Sequence, residues 1–195
     1  MTIEKLQNGG YIIYFRHGEA TVGKDEPTVI FENCETQRNL SETGKQQAIL
    51  IGKVFREKGI PIEPFVISSP FCRALDTAKL AFSNNPIRIE RSLAKIVDLS
   101  EVPTLTDAER KVIIDDFIRL LERPPSSGQN KVIIGHSFPK ELELGNIDYM
   151  TGIVIKPKGR GNGYEVVFVN IDLSQSDHFK SEPLHSELFP YLGED

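Results

Sequence analysis

Short apolar runs alternate along the chain with longer segments in which apolar residues recur every three or four positions. The short runs are typical of strands buried on both faces, and we predict such strands at residues 11–15, 65–67, 87–89 and 131–135. The periodic segments between them are typical of amphipathic helices. Because strands and helices alternate, the pattern predicts an α/β fold: a three-layer α/β/α sandwich with a mostly parallel central sheet.

Three of the predicted helices begin at capping residues. Ser41 and Thr106 are favourable N-caps, and Glu109 completes a capping box with Thr106. The remaining helix is predicted to begin at Ser69, with Ser69 as its cap and Pro70 in its first turn. These starting points place the helices between the predicted strands.

Two further segments differ from this alternation. Residues 19–40 form a polar segment without periodicity, which predicts a loop that contributes to a site. Residues 152–156 and 164–171, joined by the turn-rich sequence KGRGNG, predict a late β-hairpin. Because no repeat, low-complexity tract or linker divides the sequence, we predict a single domain over residues 1–195.

The composition indicates a protein with no general affinity for polyanions. The chain has 195 residues and a net charge of −5, which disfavours nucleic acid and anionic membranes as partners. Its apolar runs are too short to span a bilayer, and its N-terminal segment lacks the apolar stretch of a secretory signal. Cys34 and Cys72 are too few for a disulfide framework. We therefore predict free thiols in a reducing compartment, the cytoplasm.

Arginine and histidine residues follow three of the predicted strands. Arg16 and His17 come directly after the first strand, Arg73 comes shortly after the second, and His136 follows the strand at 131–135. Ligands of open α/β sheets bind beyond the carboxyl ends of the strands, and parallel strands share that edge. We therefore predict that these four side chains meet in one pocket.

Such a group of side chains suits a phosphoryl group. Arginine offers paired donors and a charge that does not titrate near neutral pH. A neutral imidazole can attack phosphorus while a second, protonated imidazole stabilises the equatorial oxygens. A zinc site is the poorer interpretation, because two histidines lack a well-spaced third ligand, and we expect no metal or other cofactor. The remaining histidines, His178 and His185, are predicted to have no role.

Four segments, in order, resemble the motifs of the histidine phosphatase superfamily, which includes the phosphoglycerate mutases and many phosphatases. YFRHGEA at residues 14–20 resembles its nucleophile signature, and RNLSETGKQQA at 38–48 resembles the segment that opens its first helix. SSPFCRALDTA at 68–78 and VIIGHS at 132–137 resemble its second-arginine and second-histidine motifs. The resemblance, which covers about residues 10–137, implies a phosphoglycerate mutase-like fold and a compact, bacterial-type member.

The resemblance also implies a role for each matching residue. His17 would accept the phosphoryl group, and water would hydrolyse the resulting phosphohistidine without a metal. Arg16, Arg73 and His136 would bind the phosphoryl oxygens and stabilise the charge that develops during transfer. Arg38 matches an arginine of the short bacterial phosphohistidine phosphatases; it either reaches the pocket or is a solvated arginine just before a helix.

The general acid of the family has no clear match. Many members carry a glutamate after a strand in the middle of the chain, and Lys95 stands at that position here. Glu19, Asp98 and Glu101 are the candidates for protonating the leaving oxygen, and Glu19 lies beside the nucleophile. Alkyl phosphates need that proton, whereas phosphohistidine, acyl phosphates and aryl phosphates leave more readily. We therefore expect a preference for the easier leaving groups.

The leading functional interpretation is a metal-independent phosphomonoester hydrolase acting on a small-molecule phosphoester or a phosphorylated protein. A phosphoglycerate mutase is less favoured, because Gly23 replaces an asparagine of the mutases and the segment after His136 predicts little cap. Ser137 also replaces the aspartate of the acid-phosphatase branch. An alternative from another class is a non-catalytic phospho-ligand binding module that has kept the anion pocket.

Overall fold

Six strands form one sheet in this computed structural model, which describes residues 3–169. The strands are β1 (Ile12–Arg16), β2 (Val66–Ser68), β3 (Ile87–Ile89), β4 (Lys131–Gly135), β5 (Gly152–Pro157) and β6 (Tyr164–Val169). The helices are α1 (Ile3–Gln7), α2 (Glu42–Glu57), α3 (Cys72–Ala81), α4 (Lys95–Glu101) and α5 (Asp107–Leu121), with short 3₁₀ turns at Cys34–Thr36 and Arg91–Ala94. His178, His185 and the predicted end of the hairpin at 170–171 lie outside the described residues.

The strand order in space is β3-β2-β4-β1-β5-β6. β1, β2, β3 and β4 run parallel to one another, so the mostly parallel sheet predicted from the sequence is confirmed. β5 pairs antiparallel with β1, and β6 extends the sheet as the second strand of the predicted hairpin. The carboxyl ends of β1, β2 and β4 therefore lie side by side at one edge.

The central strand shows why the fold has three layers. All four apolar residues of β1 are completely buried, and successive side chains of a strand point to opposite faces. Ile13 and Phe15 pack into a core formed with α1, α2 and α3, whereas Ile12 and Tyr14 pack into a second core formed with α4 and α5. Each face of the sheet is thus covered by helices. The prediction of one domain over 1–195 stays a prediction.

Two of the three predicted helix starts are confirmed. The Ser41 hydroxyl accepts a hydrogen bond from the Gly44 amide, and Thr106 and Glu109 form the reciprocal capping box. The prediction that Ser69 caps α3 is wrong, because the chain is still extended at Phe71 and the helix begins at Cys72. The Ser69 hydroxyl instead bonds a histidine ring in the candidate site. Within residues 3–169, no helix is long and apolar enough to cross a bilayer.

The prediction of free thiols is also wrong, because Cys34 and Cys72 form a disulfide. The bridge connects the 3₁₀ turn in the long loop to the first residue of α3, across 38 positions of sequence. Cys34 and Cys72 come together only because the loop folds back over α3, which a count of cysteines does not indicate. The cytoplasmic location, which rested partly on free thiols, stays a prediction.

We expect the double variant Cys34→Ser/Cys72→Ser to have a lower free energy of unfolding than the oxidised wild type, by about 2–4 kcal/mol. The bridge closes a loop of 38 residues, and this closure restricts the unfolded chain. Urea denaturation with and without dithiothreitol measures the difference. A difference that persists after reduction would contradict the assignment, because the reduced wild type and the variant have the same chain connectivity.

Candidate active site

The four side chains predicted to share a pocket do meet at the carboxyl edge of the sheet. Arg16 ends β1 and is in register with Gly135 of β4, so His17 and His136 both emerge at the same level. Arg73 is the second residue of α3, which follows β2 on the other side of β4. The rings of His17 and His136 are 5.3 Å apart. The convergence predicted from the strand order is therefore confirmed.

His17 is held with one ring nitrogen fixed and the other turned toward Arg73. Its Nδ1 lies 2.7 Å from the carbonyl oxygen of Gly18, and a carbonyl oxygen only accepts, so Nδ1 carries the proton. Nε2 therefore has the free lone pair, and Arg73 Nε donates to it at 3.2 Å. The side chain is almost completely buried. The tautomer thus leaves Nε2 as the unprotonated nitrogen of the ring.

His136 is positioned mainly through its backbone. The Tyr14 hydroxyl donates to the His136 carbonyl at 2.7 Å and accepts from the His136 amide at 2.8 Å. Gly135 makes this contact possible, because a Cβ there would overlap the Tyr14 hydroxyl. The His136 Nε2 atom bonds the Ser69 hydroxyl at 2.8 Å. A phenol beneath the site therefore fixes the second histidine.

Arg16 is held on one side and free on the other. Its Nη1 donates to the Ile147 carbonyl at 2.7 Å, and the Ile147 amide in turn donates to the Ser137 hydroxyl. The Tyr149 ring covers the guanidinium at 3.8 Å. The Nε atom of Arg16 is buried and has no hydrogen-bond partner among the described residues. An unpartnered buried donor is costly unless a ligand satisfies it.

Arg73 is bound to an acid that the sequence interpretation did not single out. Its Nη1 and Nη2 donate to the two carboxylate oxygens of Asp25 at 2.9 Å and 3.0 Å. Both side chains are buried, with 2% and 5% of their surfaces exposed. Nη1 also donates to the Arg38 carbonyl at 3.4 Å. Paired donors of this kind are the ones that arginine offers to a phosphate.

Burial and neighbouring cations together lower the pKa of both histidines. For His17, loss of solvent contributes most and the charge of Arg73 comes next; for His136, burial is followed by the charges of His17 and Arg73. The charge of Arg38 also lowers the pKa of each histidine, so Arg38 lies near the pocket. Both imidazoles are therefore neutral near pH 7. This differs from the expectation of a protonated second imidazole.

The three candidate acids have different surroundings. Glu19 accepts a hydrogen bond from the Ser41 hydroxyl at 2.6 Å and lines, with Arg38 and Tyr149, an open cavity of about 740 Å³. Asp98 pairs at 3.3 Å with Lys95, the residue in the expected position of the family's acid. Burial lowers the pKa of Arg73, and the negative charges of Asp25 and then of Glu101 partly oppose that shift, so Glu101 lies near the pocket. Of the three, Glu19 is the one that lines the cavity together with Arg38.

Several contributors to the site had no signal in the sequence. Asp25 lies in an aperiodic polar loop, where an acid is ordinarily solvated, and Tyr149 belongs to no motif. Thr77 accepts from the Gly18 amide at 3.0 Å and donates to the Arg73 carbonyl at 2.7 Å, which connects two motifs. Tyr14 could have been suspected, because a tyrosine in a buried strand usually needs a partner for its hydroxyl.

The fold and the pocket define an α/β protein with an anion site made of arginines and histidines. The chain belongs to the histidine phosphatase superfamily: the family model for branch 1 of this superfamily matches residues 12–126. That range includes Arg16, His17 and Arg73 and ends before His136. A comparison with curated proteins gave no match.

Solved structures support the same fold. The alpha-ribazole phosphatase from Shigella flexneri is 16% identical over 82% of this chain and 96% of that chain, with a TM-score of 0.55. The protein of open reading frame Rv3214 from Mycobacterium tuberculosis is 21% identical over 83% and 97%, with a TM-score of 0.55. A phosphoserine phosphatase from Entamoeba histolytica, in complex with 3-phosphoglyceric acid, is 15% identical over 87% and 98%, with a TM-score of 0.53. At these identities the likeness concerns the fold, which is phosphoglycerate mutase-like.

We expect Tyr14→Phe to lower the free energy of unfolding by about 2 kcal/mol, because two buried backbone groups of His136 would lose their partner. Tyr11→Phe is the matched control, since the Tyr11 hydroxyl makes no hydrogen bond within residues 3–169. Urea denaturation of both variants measures the effect. Equal stability of the two variants would contradict the structural role of the Tyr14 hydroxyl.

The lowered pKa values of the two histidines predict how stability depends on pH. The unfolded chain binds protons at these residues below the ordinary histidine pKa of about 6.5, whereas the folded protein resists them. The contribution of the two neutral histidines to the free energy of unfolding is therefore complete above about pH 6.5. As the pH falls below that value, the contribution decreases by at most about 1.4 kcal/mol per pH unit for each histidine. Denaturation of wild type and His136→Gln over this range measures the slope. The variant should have the shallower slope, and equal slopes would contradict the prediction.

Proposed function

We propose that the protein is a phosphomonoester hydrolase that works through a phosphohistidine on His17. The observation that carries this proposal is the hydrogen bond from His17 Nδ1 to the Gly18 carbonyl. It leaves the lone pair of Nε2 in a pocket surrounded by Arg16, Arg73 and His136. A nucleophile needs such a fixed and unprotonated atom, whereas a site that only binds anions has no use for it.

The chemistry then takes two steps. In the first, Nε2 forms a bond to phosphorus, and the bond between phosphorus and the leaving oxygen breaks. In the second, water attacks phosphorus, the bond to Nε2 breaks and inorganic phosphate is released. The free lone pair of His17 returns, so the enzyme is ready for another turnover.

The surrounding donors suit the charge that develops in both steps. The buried Nε of Arg16, which has no partner in the part of the chain that the structure describes, offers a phosphoryl oxygen a donor that is already desolvated. Arg73 supplies paired N–H groups, and Arg38 adds positive charge at the cavity beside Glu19. His136 becomes easier to protonate once a phosphoryl dianion lies beside it, because the anion opposes the repulsion that lowers its pKa. No step in this scheme uses a metal or another cofactor.

The substrate class follows from the leaving group. Lys95 is exposed and pairs with Asp98, so no carboxyl group stands at the expected position of the acid. We therefore propose activated phosphoryl donors, such as phosphohistidine, acyl phosphates or aryl phosphates, on a small molecule or a protein. Glu19 is the proposed source of a proton when one is needed, because it lines the open cavity next to Arg38.

The first test is the hydrolysis of p-nitrophenyl phosphate in the presence of EDTA. Wild type should be active and His17→Ala should lose at least about 1,000-fold, because the covalent route is removed. His178→Ala is the matched control, since the same change is made at a histidine predicted to have no role. Acid quenching of wild type during turnover should be avoided, because phosphohistidine is acid-labile; quenching in alkali should trap a phosphoryl group on the peptide that contains His17.

Activity that survives His17→Ala would contradict the covalent assignment. Activity that EDTA abolishes would contradict the metal-free scheme. If wild type binds phosphate but hydrolyses no activated phosphoester, the non-catalytic binding module becomes the better explanation.

We expect Glu19→Gln to slow an alkyl phosphate far more than an aryl phosphate. A general acid contributes on the order of 100-fold or more, but p-nitrophenolate leaves without a proton. The ratio of kcat/KM values for β-glycerophosphate and p-nitrophenyl phosphate measures the difference. Glu101→Gln is the competing variant and Asp98→Asn the control; a change of ratio in Glu101→Gln alone would move the role to Glu101.

A further inference from the structure

Most of the donor groups that Arg73 could offer to a ligand are already engaged, two of them by the carboxylate of Asp25. A guanidinium has five N–H groups. Nε donates to His17, both Nη atoms donate to Asp25, and Nη1 donates also to the Arg38 carbonyl. Within the described residues, a single N–H of Nη2 is left. Arg73, which is proposed to bind the phosphoryl group, is therefore already bound to a carboxylate whose two oxygens accept from it as two phosphoryl oxygens would.

The same arrangement covers the nucleophile. Arg73 Nε donates to His17 Nε2 at 3.2 Å, so the lone pair that should attack phosphorus is engaged in a hydrogen bond. On the opposite side of the guanidinium, Asp25 accepts hydrogen bonds from Nη1 and Nη2. Arg73 is thus oriented by Asp25 and bonded to His17. Both contacts must break if Arg73 is to bind phosphoryl oxygens through the same N–H groups.

Asp25 is held in place by more than this ion pair. Its Oδ1 accepts a hydrogen bond from the Arg38 amide at 2.7 Å, and the neighbouring Glu26 amide donates to the Thr36 carbonyl at 3.0 Å. The disulfide then joins this loop to Cys72, next to Arg73 in the sequence. The Asp25 side chain is 95% buried. It is therefore a fixed part of the pocket wall, unlike a solvated acid in a surface loop.

We propose that Asp25 is an internal competitor for the phosphate site, which holds Arg73 in a resting position until a phosphoryl group displaces the carboxylate from it. This inference rests on the proposed function, in which Arg73 binds the phosphoryl group. It makes Asp25 a specificity-determining residue. A monoanionic carboxylate entering the pocket gains little by replacing another carboxylate, whereas a phosphoryl dianion brings more charge and a third oxygen for Arg16.

The test is calorimetric titration of the oxidised full-length protein with inorganic phosphate. Asp25→Asn and Asp25→Ala should each bind phosphate on the order of tenfold more tightly than wild type, because a charge-assisted contact no longer has to be broken. Glu26→Gln is the matched control: it removes the same charge from the next position of the loop, where the residue is exposed. We expect its affinity to stay within about twofold of wild type, since an exposed charge is screened.

A second measurement follows the displacement in wild type. The Arg38 amide donates to Asp25, so its amide resonance should shift strongly when phosphate binds, and the Glu26→Gln protein should show the same shift. Circular dichroism of the Asp25 variants verifies that both are folded. Equal or weaker phosphate binding by both variants, or an Arg38 resonance that phosphate leaves unchanged, would overturn the proposal.

The binding experiment needs no turnover, so it separates this inference from the proposed function. Tighter phosphate binding by Asp25→Asn in a protein without hydrolytic activity supports the competitor and contradicts the hydrolase. Normal hydrolysis with unchanged phosphate affinity in the Asp25 variants contradicts the competitor alone.

Discussion

The buried side chains of His17, Arg73 and His136 and the half-buried Arg16 lie together at one edge of the sheet, and the balance of charge among them determines the rest of the site. Burial is the main cause of the lowered pKa values of both imidazoles, and the neighbouring positive charges lower them further, so both rings are neutral near pH 7. The guanidiniums stay protonated and need an anion instead. Asp25 provides one for Arg73, while the buried Nε of Arg16 has no hydrogen-bond partner within residues 3–169. A phosphoryl dianion would satisfy both arginines at once.

Such a site is possible only because the surrounding backbone is packed closely enough to hold it. Gly18 of the loop after β1 and Gly44 of α2 approach so closely that a Cβ on either would overlap backbone atoms of the other segment. The Gly18 amide is tied to α3 through Thr77, and the Met150 amide donates to the His17 carbonyl. The backbone at His17 and Gly18 is therefore positioned from three directions: by α2, by the Thr77 side chain of α3 and by the Met150 amide. Electrostatic repulsion within the pocket is resisted by this framework.

The parts of the structure that could be predicted are those with a local physical cause. Buried apolar runs produce strands whatever their partners, and parallel strands bring Arg16, His17 and His136 to one edge. Capping residues mark a helix start unless they are used elsewhere, and Ser69 is used by His136. The disulfide and the Asp25–Arg73 pair depend on how a long aperiodic loop folds back onto α3. No local pattern specifies such contacts, so counting cysteines gave the wrong prediction.

The motif segments, which could be predicted, and the loop at 19–40, which could not, have different roles in the proposed mechanism. The motif segments on the strands determine which atom reacts and which groups receive the charge. The loop at 19–40 contributes Asp25, Arg38 and the cavity-lining Glu19, and the disulfide attaches it one residue before Arg73. A change in this loop therefore acts directly on the arginine that the motifs supply. In the proposed scheme, a different residue at position 25 would change which anions Arg73 accepts while the motif residues stay the same.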